Sequence, residues 1–460
     1  MAPSGLEVSA GLEYEVLVAC PPLRPNDIQN QDAKQDPRVY SSDWTELKRQ
    51  CLLDLESELG HLIAKEQERG EESDSLEELR RQRKNVQFIS VDRMENINAT
   101  QLAIARSLKN KGLPVCYTIG NPLGGQYGQP YDLYHFLSKP DQLDKSIPEW
   151  ANCFTVKTDS TVLPKPADVY DKNEFEWAPI EVATPVFRGD VSQIGSYEIP
   201  LLCATLRDEL LSWVNRSYDL HIHMSPMRGS LDLQTAKKLV IIIWLLEPTL
   251  YELTELNQDR RDDFQHKPIT IHSMIARLDG YEYAVENAAE AASLLPQELH
   301  RFVQRQSRED IHKVYQLAHV FDAADIASLR RMIVGTNQQR LAINFRDFAF
   351  DGLSHDGGDG DGNRNRRPYS ATIEFRFFTP TRDETYSRMC IRVAAAIFAM
   401  AGLESDPYRR KLSEIVRRLT GKKPGRWRDL LDVLDLGSEA TAWENAKKQH
   451  CIDPRHPCTP

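Results

Sequence analysis

Three pairs of residues in this chain are spaced to do chemistry together: Glu13 with Glu15, His221 with His223, and Glu374 with Arg376. One residue separates the members of each pair, so on an extended strand both project from one face while the apolar residues around them project from the other. A further acid, Glu181, stands between Ile180 and Val182 in the same kind of setting. If these four segments share a sheet, one face collects four carboxylates, two imidazoles and a guanidinium. Such a set suits a hard divalent cation, because Mg²⁺ and Mn²⁺ favour carboxylate oxygen and water, and an imidazole can fill a remaining position. Taken singly, each segment reads more readily as a half-exposed strand with solvated charges, and His-x-His alone is a weak metal signal. The recurrence over four strands is what points to a site.

The elements that must position these residues follow from periodicity. Residues 11–19 alternate Leu12, Tyr14, Val16 and Val18 with the two acids, a strand at the start of the chain. Residues 21–43 are rich in Pro, Asn, Asp and Gln and read as a linker. Leu47, Leu52, Leu55, Leu59 and Leu62 then recur at helical spacing, and a Gly/Ser/acid stretch at 70–75 should break that helix before a second one over 76–84. Residues 153–157, 178–187, 220–224 and 371–378 read as strands. Residues 200–218, 233–256, 297–334, 383–400 and 408–420 read as helices, and 341–350 is ambiguous. Strands mixed irregularly with helices, without βαβ alternation, predict an α+β fold on an antiparallel sheet. The expected division is a core of 1–20 and 150–403, a helical insertion at 21–149 and a C-terminal helical tail at 404–460.

Composition narrows the class. A chain of 460 residues, 41% hydrophobic and 27% charged, is that of a folded globular protein. A net charge of -11 repels phosphate backbones, so nucleic acid is not the expected partner. The longest apolar run, 239–246, falls well short of the about 20 residues that span a bilayer. The opening residues leave no room for a signal peptide, and the 8 scattered cysteines do not suit a disulfide framework; together these lead us to expect a reducing, cytoplasmic setting. His450, Cys451, His456 and Cys458 match no standard zinc spacing, and an exposed tail is the simpler reading. Asp356, Asp359 and Asp361 lie in a Gly/Asp/Arg-rich stretch whose spacing departs from a calcium loop, and Arg364, Arg366 and Arg367 read as a solvated charge run.

At Gly11-Leu12-Glu13-Tyr14-Glu15, Glu181-Val182-Ala183-Thr184-Pro185, His221-Ile222-His223 and Ile373-Glu374-Phe375-Arg376, the chain resembles the amidoligases, which belong with the glutamine synthetase and glutamate-cysteine ligase superfamily of carboxylate-amine ligases. Arg340-Leu341-Ala342-Ile343-Asn344 is similar to the family's Arg-x-x-x-Asn element, and Asp159-Ser160 to its Asp-x-Ser element with the spacer missing. The resemblance implies a curved, mostly antiparallel sheet forming a funnel, with helices on its outer face and with ATP and metals at one end. It implies Glu13, Glu15, Glu181, His221 and Glu374 as ligands of Mg²⁺ or Mn²⁺. It places His223, Arg340 and Arg376 on the nucleotide phosphates, with Arg376, Arg340 and Glu374 as the catalytic set and Asp159 and Asn344 nearer the substrates. The implied activity joins small-molecule or peptide carboxylates to amines through an acyl phosphate. Two other readings stay open: a metal-dependent hydrolase, which needs no phosphate-contacting arginines, and a binding protein that keeps the fold without turnover.

Overall fold

The protein is described by a computed structural model covering residues 7–21, 39, 43–68, 74–86, 91, 96–119, 133–158, 176–214, 219–227, 231–254, 267–277, 295–296, 316–317, 319–335, 341–346, 372–379, 381–419 and 426–450. Its strands are β1 (Glu7–Cys20), β2 (Val115–Ile119), β3 (Leu133–Ser138), β4 (Phe154–Thr158), β5 (Glu176–Ala183), β6 (Phe187–Asp190), β7 (Ser212–Trp213), β8 (Leu220–Pro226), β9 (Ile343–Arg346) and β10 (Thr372–Phe378). They form one sheet in the order β3-β2-β4-β5-β1-β8-β10-β9, with β6 and β7 also pairing with β1. Every pair is antiparallel except β2 with β4, so the fold is α+β on a mostly antiparallel sheet.

One face of the sheet is apolar. Leu12, Tyr14 and Val16 of β1, Ile180 and Val182 of β5, Ile222 and Met224 of β8, and Ile373, Phe375 and Phe377 of β10 are all buried in the main core. Two groups of helices cover it. Over the β2–β5 half lies α3 (Asn96–Asn110), backed by α1 (Trp44–Glu68) and α2 (Asp74–Val86). At the β8 side lies α8 (Glu384–Ala401), packed against the long, largely buried α5 (Leu233–Leu253). Short helices α4 (Glu198–Ala204), α6 (Ile269–His272) and α7 (Ile326–Ile333) complete the packing with α9 (Ser405–Leu419), α10 (Trp427–Val433) and α11 (Ala440–His450). Aspartates start the two helices beside the sheet: Asp232 accepts from Thr235 N at 2.8 Å and Asp383 from Tyr386 N at 2.7 Å, satisfying amides that have no partner within the helix.

Segment 21–149 carries α1 and α2 where two helices were expected, adds α3, and sends β2 and β3 into the sheet, so its core is continuous with that of the other strands. The helix expected over 200–218 ends early. Only Glu198–Ala204 is α-helical; a π turn over Thr205–Glu209 follows, and β7 then pairs Trp213 with Leu17 and Ser212 with Val18. The β8 ladder stops at Tyr14, and the backbone of β1 beyond it needs hydrogen-bond partners, which β7 supplies on that side. The ambiguous 341–350 stretch contains strand β9, in register with β10. Much of the helix expected over 297–334 falls outside the described residues, as do the 351–367 stretch and the histidine- and cysteine-bearing tail from 451 on. Among the described residues, no helix is long and apolar enough to cross a membrane.

Candidate metal and phosphate site

The face opposite the core collects the chemistry. Register places Glu15 beside Glu181, Glu13 beside His221, Glu374 beside His223, and Asn344 beside Glu374, so polar residues of β5, β1, β8, β10 and β9 line up across the sheet. Glu15, Glu181, His221, His223, Asn344, Glu374 and Arg376 are buried, and only Glu13 retains modest exposure.

Contacts within the set are short. His221 Nδ1 lies 3.1 Å from Glu13 Oε2 and 3.6 Å from Glu374 Oε1, while its Nε2 lies 3.5 Å from Glu15 Oε1. His223 Nε2 is 3.3 Å from Glu13 Oε2. Arg376 Nη1 donates to Glu374 Oε1 at 2.7 Å, and Asn344 Nδ2 donates to the other oxygen of that carboxylate at 3.3 Å. Glu181 lies one strand further out, where Lys157 Nζ of β4 stands 2.8 Å from its Oε1. Asp159 and Arg340 lie outside the described residues.

Asp219, just before β8, was not singled out in the sequence, yet it sits at the centre. Fully buried, it places Oδ2 3.2 Å from His221 Nε2 and 4.0 Å from Arg376 Nη2, and its backbone N–H donates to Glu15 Oε2 at 2.9 Å. Its signal was parity, since it precedes His221 by two residues as His221 precedes His223. Lys157 was likewise passed over, although it ends the first strand expected after the insertion.

The ligand atoms form two groups: Glu13, His223 and Glu374, and Glu15, Asp219 and His221, with the chosen atoms in each within 4.8 Å of one another. Four carboxylates, those of Glu13, Glu15, Asp219 and Glu374, thus meet one arginine, Arg376, in a buried setting. Burying like charges together is strongly unfavourable unless cations offset them. Part of that offset is a proton. Burial, the largest influence on His221, and the Arg376 charge both push its pKa down, but Glu15, Asp219 and Glu13 outweigh them and lift it to about 10. A divalent cation in place of that proton suits the donor set, which is carboxylate oxygen with one imidazole in each group.

Past Glu15 the same face turns apolar. Leu17 packs with Trp177 and Trp213, whose rings meet edge to face at 6.3 Å. Leu17 is buried while the two tryptophans are partly exposed, so the row of charged residues ends at Glu15 on that side.

No curated protein and no solved structure matches the chain. A family model described as "Putative amidoligase enzyme" matches residues 137–323, a stretch that includes Glu181, Asp219, His221 and His223 and leaves β1 and β10 outside it. Over those residues the chain carries the pattern of the amidoligases, a family of ligase-type enzymes and the one its motifs resemble.

Proposed function

We propose that the protein is an ATP- and Mg²⁺-dependent carboxylate-amine ligase that works through an acyl phosphate. The observation that carries this reading is the gathering of carboxylates beside a buried arginine: Glu13, Glu15, Asp219 and Glu374 on the polar face, and Arg376 fixed against Glu374.

Glu13, His223 and Glu374 would hold one cation and Glu15, Asp219 and His221 a second. Bound Mg²⁺, or Mn²⁺, would neutralise nucleotide phosphate charge and offset the repulsion among the carboxylates. Phosphoryl transfer asks a protein mainly for positioning and for cations near the equatorial oxygens. Arg376 is placed for that task, its guanidinium aimed by Glu374 and by the nearby Asp219; Arg340 is the second candidate. A substrate carboxylate attacks the γ-phosphorus and ADP leaves, giving an acyl phosphate. An amine then attacks the acyl carbon, loses a proton, and phosphate departs to leave the amide. Water would hydrolyse the intermediate, so the reaction requires it to be kept from bulk solvent. Asn344 and Asp159 are the residues assigned to the substrates.

Hydroxylamine is the test. With ATP, Mg²⁺ and a panel of small carboxylic acids and acidic peptides, the protein should form a hydroxamate and release ADP and phosphate in equal amounts. Release of AMP and pyrophosphate would sink the mechanism, and metal-dependent hydrolysis without nucleotide would favour the hydrolase reading. Mg-ATP should also raise the melting temperature, since a ligand of the native state stabilises it.

A further inference from the structure

Away from Leu17, the polar face changes character on its other side. Gly11, two residues before Glu13, and Ser9, two before that, share its parity on β1. Gly11 is in register with His223, and Ser9 with Ser225. On β10, Glu374 pairs with His223 and Ile373 with Met224, so Thr372 comes next, beside Ser225; its register partner on β9 is an arginine, Arg346.

Two features of this row are unexplained by the fold. Ser9, Ser225 and Thr372 are buried, and the Thr372 hydroxyl has no hydrogen-bond partner among the described residues. A buried, unpaired hydroxyl is destabilising, and valine would fill the same volume without that cost. Gly11 is the second. Among the described residues a Cβ there would meet nothing within 4 Å, and its backbone is not in the left-handed region, so neither crowding by them nor conformation calls for glycine in a central strand. What glycine leaves is open space directly beside His223 and Glu13.

We propose that Ser9, Gly11, Ser225 and Thr372 form a subsite for an anionic oxygen group, a phosphate or a carboxylate, carried by a substrate. The space over Gly11 admits the group. The hydroxyls donate to its oxygens, which the carboxylates next door cannot do. Cations held by Glu13, His223 and Glu374 balance its charge, and in this the proposal rests on the ligase reading. The acid substrate and the nucleotide both carry such a group, and the experiment separates them.

Thr372→Val and Gly11→Val are made in the full chain. Calorimetry then measures Mn²⁺ alone, followed by orthophosphate with Mn²⁺, Mg-ADP, and acetate with Mn²⁺. Both variants should melt at or above the wild-type temperature and bind Mn²⁺ as wild type does, while their affinity for at least one anion falls about tenfold, the size of one lost hydrogen bond to a charged group. Joint loss for orthophosphate and Mg-ADP assigns the subsite to the nucleotide; loss for acetate alone assigns it to the acid. Unchanged affinity of both variants for all three anions overturns the subsite while leaving the ligase reading intact, provided that Mg-ADP binds. A wild-type protein that binds none of the three anions also overturns it. Failure of Mn²⁺ and Mg-ADP to bind wild type, with orthophosphate binding still weakened in the variants, would instead sink the ligase reading and keep the subsite.

Discussion

Two regions of this protein gather carboxylates around a histidine, and they do so to opposite ends. Between α1 and β3, Asp54 accepts from Tyr117 Oη at 2.6 Å and from Gln50 Nε2 at 2.7 Å, and His135 lies 2.8 Å from Glu58 and 3.5 Å from Asp54. Each acid there has neutral donors or the imidazole, so the group is closed and ties the insertion's helix to its strands. On the polar face of β1, β8 and β10, four carboxylates lie close to two imidazoles and an arginine, in two groups whose donor atoms suit a divalent cation. A satisfied cluster stabilises; a cluster with charge in excess costs stability until its ligand arrives.

Mutations should separate the two most sharply at Glu374. Glu374→Gln is expected to weaken Mn²⁺ binding by about a hundredfold and to abolish hydroxamate formation, yet to leave the metal-free melting temperature equal or higher, because it removes a repelling charge. A marked fall in metal-free stability would place Glu374 with the closed kind of cluster. Asp54→Ala should do the reverse, costing about 2–3 kcal/mol in denaturant unfolding, since it strands the Tyr117 hydroxyl, with Mn²⁺ titration unchanged.

The two histidines should also respond to pH in different experiments. For metal to bind beside His221, a group lifted to about 10, a proton must leave, so Mn²⁺ affinity should rise with pH toward that value by up to about tenfold per unit. A flat pH profile would show that the imidazole is not displaced. For His135, burial acts to lower the pKa, but the Glu58 hydrogen bond and the Asp54 and Glu58 charges prevail and raise it. A raised folded-state value means that protonation stabilises the fold: the gain is complete below the unfolded value of about 6.5 and is lost as pH rises through the folded value. Melting temperature should therefore decline above about pH 6.5 in wild type and decline less in His135→Gln.

Lys157 should give the smallest effect. Its ion pair with Glu181 is partly exposed, so Lys157→Met should cost about 0.5–1 kcal/mol in the same unfolding assay. A larger loss accompanied by altered Mn²⁺ stoichiometry would bring Glu181 into the metal site.

Much of the site was legible before the fold was known, because strand alternation is local: the parity of Glu13 with Glu15, of His221 with His223 and of Glu374 with Arg376 needs only an extended backbone. Helices α5 and α8 were legible for the same reason, their apolar residues recurring within a few positions of one another. Residues 210–213, past the π turn, were misread as helix because the pairing that draws Ser212 and Trp213 into β7 comes from Leu17 and Val18, nearly two hundred residues away. Asp219 went unread although it shares the parity of His221 and His223, because it precedes the stretch read as a strand.

The sequence by itself thus determined which side chains share a face on each strand, and the α+β class that their mixture with helices implies. Only the tertiary structure decided that β5, β1, β8, β10 and β9 are neighbours in that order, that the candidate metal ligands divide into two groups, and that Asp219 and Lys157 join the row. The reason is physical: alternation is set by the backbone of one strand, whereas strand order and register are set by hydrogen bonds and packing between segments far apart in the chain.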